Sequence, residues 1–217
     1  MIKKIKASAS EKILLVFLIL LFLFSFSFFF IINNKCIFIK KINHKNIKFS
    51  NPTNIAIMNI ECGNVIIELL PELSPNTVNR FKYFLNEGSY NRSSFYRVIK
   101  NTLVQVGDLE YGNIDNINYF KVGSGQSGLG NLKSELDDKF LFEEGTVAMV
   151  RGDEFDTEDS EFFILLKKIP LYNGEYTPVG KVIYGMDALK KIKAGSKSEY
   201  VLRPDYINNF KLLKKNY

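Results

Sequence analysis

From Ile13 to Ile32 the chain reads ILLVFLILLFLFSFSFFFII, and no charged residue falls between Lys12 and Lys35. At about 1.5 Å rise per residue, a helix of that run is about 30 Å long, the thickness of a bilayer hydrocarbon core. Ser25 and Ser27, its only polar members, can bond to their own helix backbone. A core helix of a water-soluble domain fits poorly, because such a helix is seldom apolar on every face. A cleavable secretory signal is the stronger rival, since Lys3, Lys4, Lys6 and Lys12 precede the run. Its apolar region should be shorter, about 7 to 15 residues, and should end in a small-x-small cleavage site. Here the run ends in Phe-Phe-Phe-Ile-Ile-Asn-Asn-Lys. The expectation is a retained single-pass anchor over 13–32 after a basic segment over 1–12, in a secretory-pathway membrane. Lysines flank both ends, so the positive-inside rule leaves the side open.

The charge follows the anchor. The chain has a net charge of +6, but residues 1–50 hold nine lysines and one glutamate, and the remainder sums to −2. A lipid head group is therefore the expected partner of the basic character, and nucleic acid is not, because no basic stripe with interleaved aromatics lies beyond residue 50. Residues 33–52 are rich in Lys, Asn and Ile without a sustained period, and are expected to form a juxtamembrane linker. Two cysteines cannot make a disulfide framework, and Cys36 is expected to be an unmodified thiol.

Residues 53–217 carry the patterns of a folded domain. Asn54 to Glu61 and Val65 to Leu70 are β-rich runs joined by Cys62-Gly63-Asn64, a hairpin signal. Ser74 can cap and Pro75 start a helix whose Val78, Phe81, Phe84 and Leu85 share a face and which Gly88 stops. Short β-type runs follow at Ser94 to Ile99, Leu103 to Gly107, Gly145 to Val150, Glu161 to Leu166, Val179 to Ile183 and Ile207 to Leu213, with a second helix over Met186 to Lys193. Many short strands with two helices predict a mainly β fold, a closed barrel with the helices over its ends.

The available chemistry is narrow. The single histidine, His44, lies in the linker, so Ser-His-Asp, Cys-His and His-rich zinc mechanisms are absent from the domain. The acidic stretches Glu135 to Asp138, Glu143-Glu144 and Asp153 to Glu161 fit no calcium-loop spacing and read as solvated loops. Gly123-Ser-Gly125-Gln-Ser-Gly128 matches GxGxxG without the strand before it and helix after it that a dinucleotide site needs, and reads as a flexible loop. No cofactor or metal is expected.

Four phrases are more specific. Phe95-Tyr-Arg97-Val-Ile leads to Gln105-Val-Gly107-Asp108, then Ser160-Glu-Phe162-Phe163-Ile, then Asn173-Gly174 and Val179-Gly180-Lys-Val-Ile-Tyr-Gly185-Met186. In order and spacing this resembles the cyclophilin family of peptidyl-prolyl cis-trans isomerases, which shows F-H-R-V-I, Q-G-G-D, S-Q-F-F-I and D-G-x-x-x-x-F-G-x-V-x-x-G-M. The resemblance runs from about Thr53 to about Lys214. It implies an eight-stranded antiparallel closed barrel with two capping α-helices, and an enzyme that accelerates rotation about X-Pro bonds in client polypeptides without a cofactor.

By the same resemblance Arg97 is the catalytic arginine and Gln105 the amide that orients it. Phe163, Leu103, Thr102, Glu161, Arg151, Leu171, Tyr172 and Tyr176 stand at substrate-binding positions. Several depart from the pattern. Tyr96 replaces His, Thr102 a pocket Phe, Leu103 a Met, Val150-Arg151 Ala-Asn, Glu161 a Gln, Leu171 the Trp of cyclosporin-sensitive members and Tyr176 a His. Weak or no cyclosporin binding is expected. A carboxylate at 161 is expected to pair with Arg97 or Arg151, and on Arg97 it competes with substrate for the donors. Activity is then reduced, and the alternative reading is a catalytically weak binding or scaffold module.

Overall fold

A computed structural model describes residues 8–40, 42–43, 47–195 and 198–213. Lys3, Lys4, Lys6, Lys41, His44, Lys45 and Lys214 lie outside the described residues. The chain divides into two compact units, Met1–Phe38 and Ile39–Tyr217. The first is built on one helix, α1 (Ala9–Asn33), opened by a capping box in which Ser8 Oγ accepts from the Glu11 N–H and the Glu11 carboxylate accepts from the Ser8 N–H. Its stretch Ala9–Ile31 is long and apolar enough to cross a membrane.

Among its described residues the second unit holds eight antiparallel strands: β1 (Ile55–Ile60), β2 (Gly63–Leu69), β3 (Arg97–Ile99), β4 (Leu103–Val106), β5 (Thr146–Met149), β6 (Phe162–Leu165), β7 (Pro178–Tyr184) and β8 (Asn209–Leu212). They form one curled sheet in the order β3-β4-β6-β5-β7-β2-β1-β8. The hairpin turns at Glu61-Cys62, one step earlier than expected, with Ile60 opposite Gly63. Among the described residues the edges β3 and β8 make no ladder with each other. Irregular segments join them instead: Arg92 N–H donates to Ile207 O at 2.7 Å, Phe95 N–H to Asp205 O at 2.9 Å and Val98 N–H to Glu199 O at 2.8 Å.

Alternation along the strands sorts residues onto two faces. Val98, Val104, Ile164 and Val147 stand opposite one another across β3, β4, β6 and β5, as do Val106, Phe162 and Met149. All are buried and point inward. Phe162 meets Phe81, Tyr90 and Phe210 in a cluster with ring centroids 5.1 to 6.1 Å apart, which seats α2 (Pro75–Glu87) on the barrel.

Helix α2 begins at Pro75 and ends at Gly88, whose φ of 69° is the left-handed conformation that glycine accepts without cost. Its N-terminal cap departs from expectation. Ser74 Oγ donates to Pro178 O, and the first-turn N–H groups of Asn76 and Thr77 donate to the Glu135 carboxylate at 3.1 and 2.8 Å. The second helix, α3, spans only Met186–Leu189. It stops short of Lys193, whose N–H donates to Asp205 Oδ2 at 2.7 Å rather than back along a helix.

The described part of the linker is more than a spacer: Ile42, Ile47 and Phe49 pack against Ile55, Ile57 and Ile66 of the barrel. Cys36, expected as an unmodified thiol, is disulfide-bonded, as is Cys62.

Candidate active site

The outward face of the same strands carries the site. Arg97 opens β3 and stands opposite Gln105 of β4, which stands opposite Phe163 of β6, which stands opposite Ala148 of β5. One row therefore runs guanidinium, amide, phenyl and methyl. The next row along, Ile99, Leu103 and Leu165, is wholly apolar.

Arg97 is held on two sides. Its Nη1 donates to Gln105 Oε1 at 2.8 Å, while Nε and Nη2 reach Glu199 Oε2 at 2.7 and 2.5 Å. Gln105 is 6% exposed, and its Nε2 donates to the Tyr96 hydroxyl and, at 3.0 Å, to Glu161 Oε2. The Tyr96 hydroxyl in turn donates to Glu161 Oε2. Glu161 thus pairs with neither arginine; it lies buried behind Gln105, a correction to the expected ion pair. Burial pushes its carboxyl up to about 7, with the Tyr96 and Gln105 hydrogen bonds pulling down and Asp108 and Asp159 pushing up. Burial likewise raises the Tyr96 phenol well above its ordinary value.

Beside Arg97 is an apolar wall. Leu103, Phe163, Phe142, Ala148 and Leu165 form one buried cluster against which Tyr172 and Tyr176 pack. Phe163 meets Tyr172 and Tyr176 edge-on at 5.8 and 5.2 Å. Burial raises the Tyr172 phenol, while the Arg97 charge pulls it the other way. Thr102 sits half-buried in the turn between β3 and β4, its Oγ1 donating to Lys100 O at 3.3 Å. Leu171 is 85% exposed beside this wall and adds little to it.

A second recess of about 320 Å³ lies next to the row, lined by Gly125, Asn131, Arg151, Thr157, Ser160 and Glu161 among others. Arg151 pairs with Glu175 at 3.2 Å and spreads over Phe155, 4.4 Å from the ring centre. The glycine loop on the far rim is pinned, contrary to its reading as flexible. Gly123 and Gly125 N–H groups donate to Asp108 Oδ2 at 2.7 and 3.2 Å, and Ser127 N–H donates to Asp159. A Cβ on Gly125 would come within 2.1 Å of Asp108 Oδ1, so the approach requires glycine. The acidic stretch before β6 is solvated only in its first half: Asp153, Glu154 and Asp156 are exposed, whereas Glu158, Asp159 and Glu161 are buried, Glu158 accepting from Thr177 Oγ1 at 2.7 Å.

Three contributors were missed in the sequence: Tyr96, read only as a lost histidine; Asp108, which organises the loop; and Glu199, which has no local signal because it reaches Arg97 from the segment before β8.

The chain was compared with known proteins. Residues 55–212 match the family model "Cyclophilin type peptidyl-prolyl cis-trans isomerase/CLD". A Brucella suis protein described as a "Probable peptidyl-prolyl cis-trans isomerase" is 41% identical over 161 residues, covering 73% of this chain and 82% of that one. Peptidyl-prolyl cis-trans isomerase B of Bacillus subtilis is 34% identical over 63% of this chain and 88% of its own. Among solved structures, a Cryptosporidium parvum cyclophilin-type isomerase crystallised with the dipeptide Ala-Pro superposes with a TM-score of 0.64 at 22% identity, over 75% of this chain and 99% of that one. With the fold, the ordered motifs and these relatives in agreement, the chain belongs to the cyclophilin-type peptidyl-prolyl cis-trans isomerase family.

Proposed function

We propose that this isomerase is tethered to a membrane by α1 and acts on proline-containing segments of client polypeptides, with Arg97 as the catalytic group. The observation that carries the reading is the row in which Arg97, Gln105 and Phe163 stand side by side on neighbouring strands. Rotation about an X-Pro bond is slow because the nitrogen lone pair is delocalised into the carbonyl, giving a barrier of about 20 kcal/mol. In the twisted transition state that pair is localised on nitrogen and accepts a hydrogen bond. A donor aimed there binds the transition state more tightly than either ground state, and no bond has to break. Arg97 supplies a permanently charged fork of donors, Gln105 holds one of its nitrogens, and the Leu103, Phe163, Tyr172 and Tyr176 wall takes the proline ring.

Tethering rests on the length and composition of Ala9–Ile31 and on the nine lysines of residues 1–50, which suit anionic head groups. The disulfide-bonded state of Cys36 and Cys62 favours an oxidising compartment for the domain. Leu171 offers no indole N–H and stands exposed, so cyclosporin should bind weakly.

The test is the full chain in detergent, assayed on a proline-containing peptide. Arg97→Ala should lower kcat/KM by at least tenfold; an unchanged value overturns the assignment of Arg97. Protease protection on sealed membranes reads the side: digestion of the domain only from the oxidising face supports the placement, and digestion from the reducing face refutes it.

A further inference from the structure

We propose that Glu161, together with Tyr96, is a positioning residue for the isomerase: it dictates which way round the Gln105 amide sits and thereby presents the amide oxygen to Arg97. The inference rests on Arg97 and Gln105 carrying the reaction, as proposed above.

The two ends of a glutamine amide have nearly the same shape and opposite hydrogen-bonding character. Only one orientation lets Gln105 accept from the Arg97 guanidinium; the other would turn an NH2 group toward a cation. Arg97 itself favours the first, and the residue at position 161 adds to that preference or leaves it unsupported. An ionised carboxylate is acceptor-only, so it draws the Gln105 NH2 toward itself and leaves Oε1 facing Arg97, the arrangement observed at 2.8 Å. A glutamine at 161, as the family pattern has it, can donate or accept and imposes no such choice. Tyr96 completes the count. Its hydroxyl accepts from Gln105 Nε2 and spends its single hydrogen on Glu161, so the amide NH2 and the phenolic hydrogen both end on defined acceptors. The departures at 96 and 161 therefore form one unit, and each makes sense only beside the other.

Burial makes this unit responsive to pH. Tyr96, Gln105 and Glu161 are between 1% and 7% exposed. The carboxyl faces Tyr96 from the segment before β3, Asp108 from the loop after β4, Asp159 from the loop before β6, and Arg97 across Gln105, while Arg151 lines the same recess. Asp159 is itself paired with Arg80 at 3.3 Å, and Arg97 with Glu199. With desolvation dominant, the carboxyl titrates near 7. Protonation gives Glu161 a donor and removes its exclusive acceptor character, so the Gln105 orientation is no longer dictated.

The experiment is the pH profile of kcat/KM for a proline-containing peptide, measured on the full chain and three variants. The wild type should gain activity as pH rises through about 7. Glu161→Gln should lose that inflection and run about fivefold below the wild-type plateau, the scale of one hydrogen bond to a charged group. Tyr96→Phe should keep the inflection but move it to higher pH, because the lost hydroxyl had stabilised the carboxylate. Arg97→Ala should be inactive at every pH. A flat wild-type profile, or an inflection that survives Glu161→Gln, overturns the positioning role. Full activity of Arg97→Ala instead overturns the site assignment beneath it.

Discussion

Replacing Glu199 by glutamine should make this enzyme faster. Glu199 Oε2 takes both Nε and Nη2 of Arg97, so one edge of the guanidinium is engaged by the protein itself before any substrate arrives. If that edge must be freed for the twisted amide, the pair raises the barrier by whatever it is worth. The side chains are 30% and 49% exposed, so water screens them and the pair belongs with surface ion pairs, at about 0.2 to 1 kcal/mol. Releasing it then raises kcat/KM by about 1.4- to 5-fold.

Two assays separate this from alternatives. In a proline-peptide exchange assay at low salt, Glu199→Gln should exceed the wild type within that range. Raising the salt to about 0.5 M should accelerate the wild type and narrow the gap, because counter-ions screen an exposed pair and leave the buried Gln105 contact intact. A slower variant would refute the reasoning: Glu199 would then be aligning Arg97 rather than competing for it. A gap that ignores salt would refute it as well.

The remaining expectations concern the machinery around that pair. Arg97→Lys, though it keeps the charge, should lose at least tenfold in kcat/KM, because an ammonium cannot bond Gln105 and a substrate in one plane as the fork does. Stability should fall as pH rises from about 4.5 to about 7. A carboxyl whose folded value lies above its unfolded one keeps in the folded state a proton that the unfolded chain releases, and the gap at Glu161 converts to about 3 kcal/mol. Urea titrations at pH 5 and pH 8 read this directly, and the difference between wild type and Glu161→Gln should carry it. Gly125→Ala should destabilise by about 1 to 3 kcal/mol and raise KM, since its Cβ would displace Asp108, whereas Gly152→Ala, whose nearest neighbour is Thr157 at 3.4 Å, should fall within about 0.5 kcal/mol. Thermal melts of the two variants test the contrast.

What was legible in the sequence was what is local or periodic. Alternation puts Phe162 and Phe163 on opposite faces, and the family resemblance picked Phe163 for the site; Phe162 is seated against α2 and Phe163 stands opposite Gln105. Proline at the start and glycine after the end bounded α2 correctly. The Arg97–Gln105 pair was readable because both residues lie in one short hairpin motif. The failures share a cause. Glu135 on the α2 terminus, Glu199 on Arg97 and Asp108 under the glycine loop are acidic side chains that look solvated in a linear reading. Each finds its donor across the fold, and nothing at its own position announces that.

The two carboxylates nearest Arg97 show why residue type alone could not assign their effects. Glu199 touches the guanidinium directly and is half open to solvent, so water dilutes its hold and it acts as a weak competitor. Glu161 touches no cation and is 7% exposed, so it cannot keep its charge for free; it keeps it above about 7 only because Tyr96 and Gln105 donate to it. Those same donations orient Gln105 toward Arg97. A substitution that looks in the sequence like an inhibitor of the catalytic arginine therefore stands, once burial and hydrogen counts are known, on the side of the catalyst. The true competitor comes from a segment that shares no motif with it.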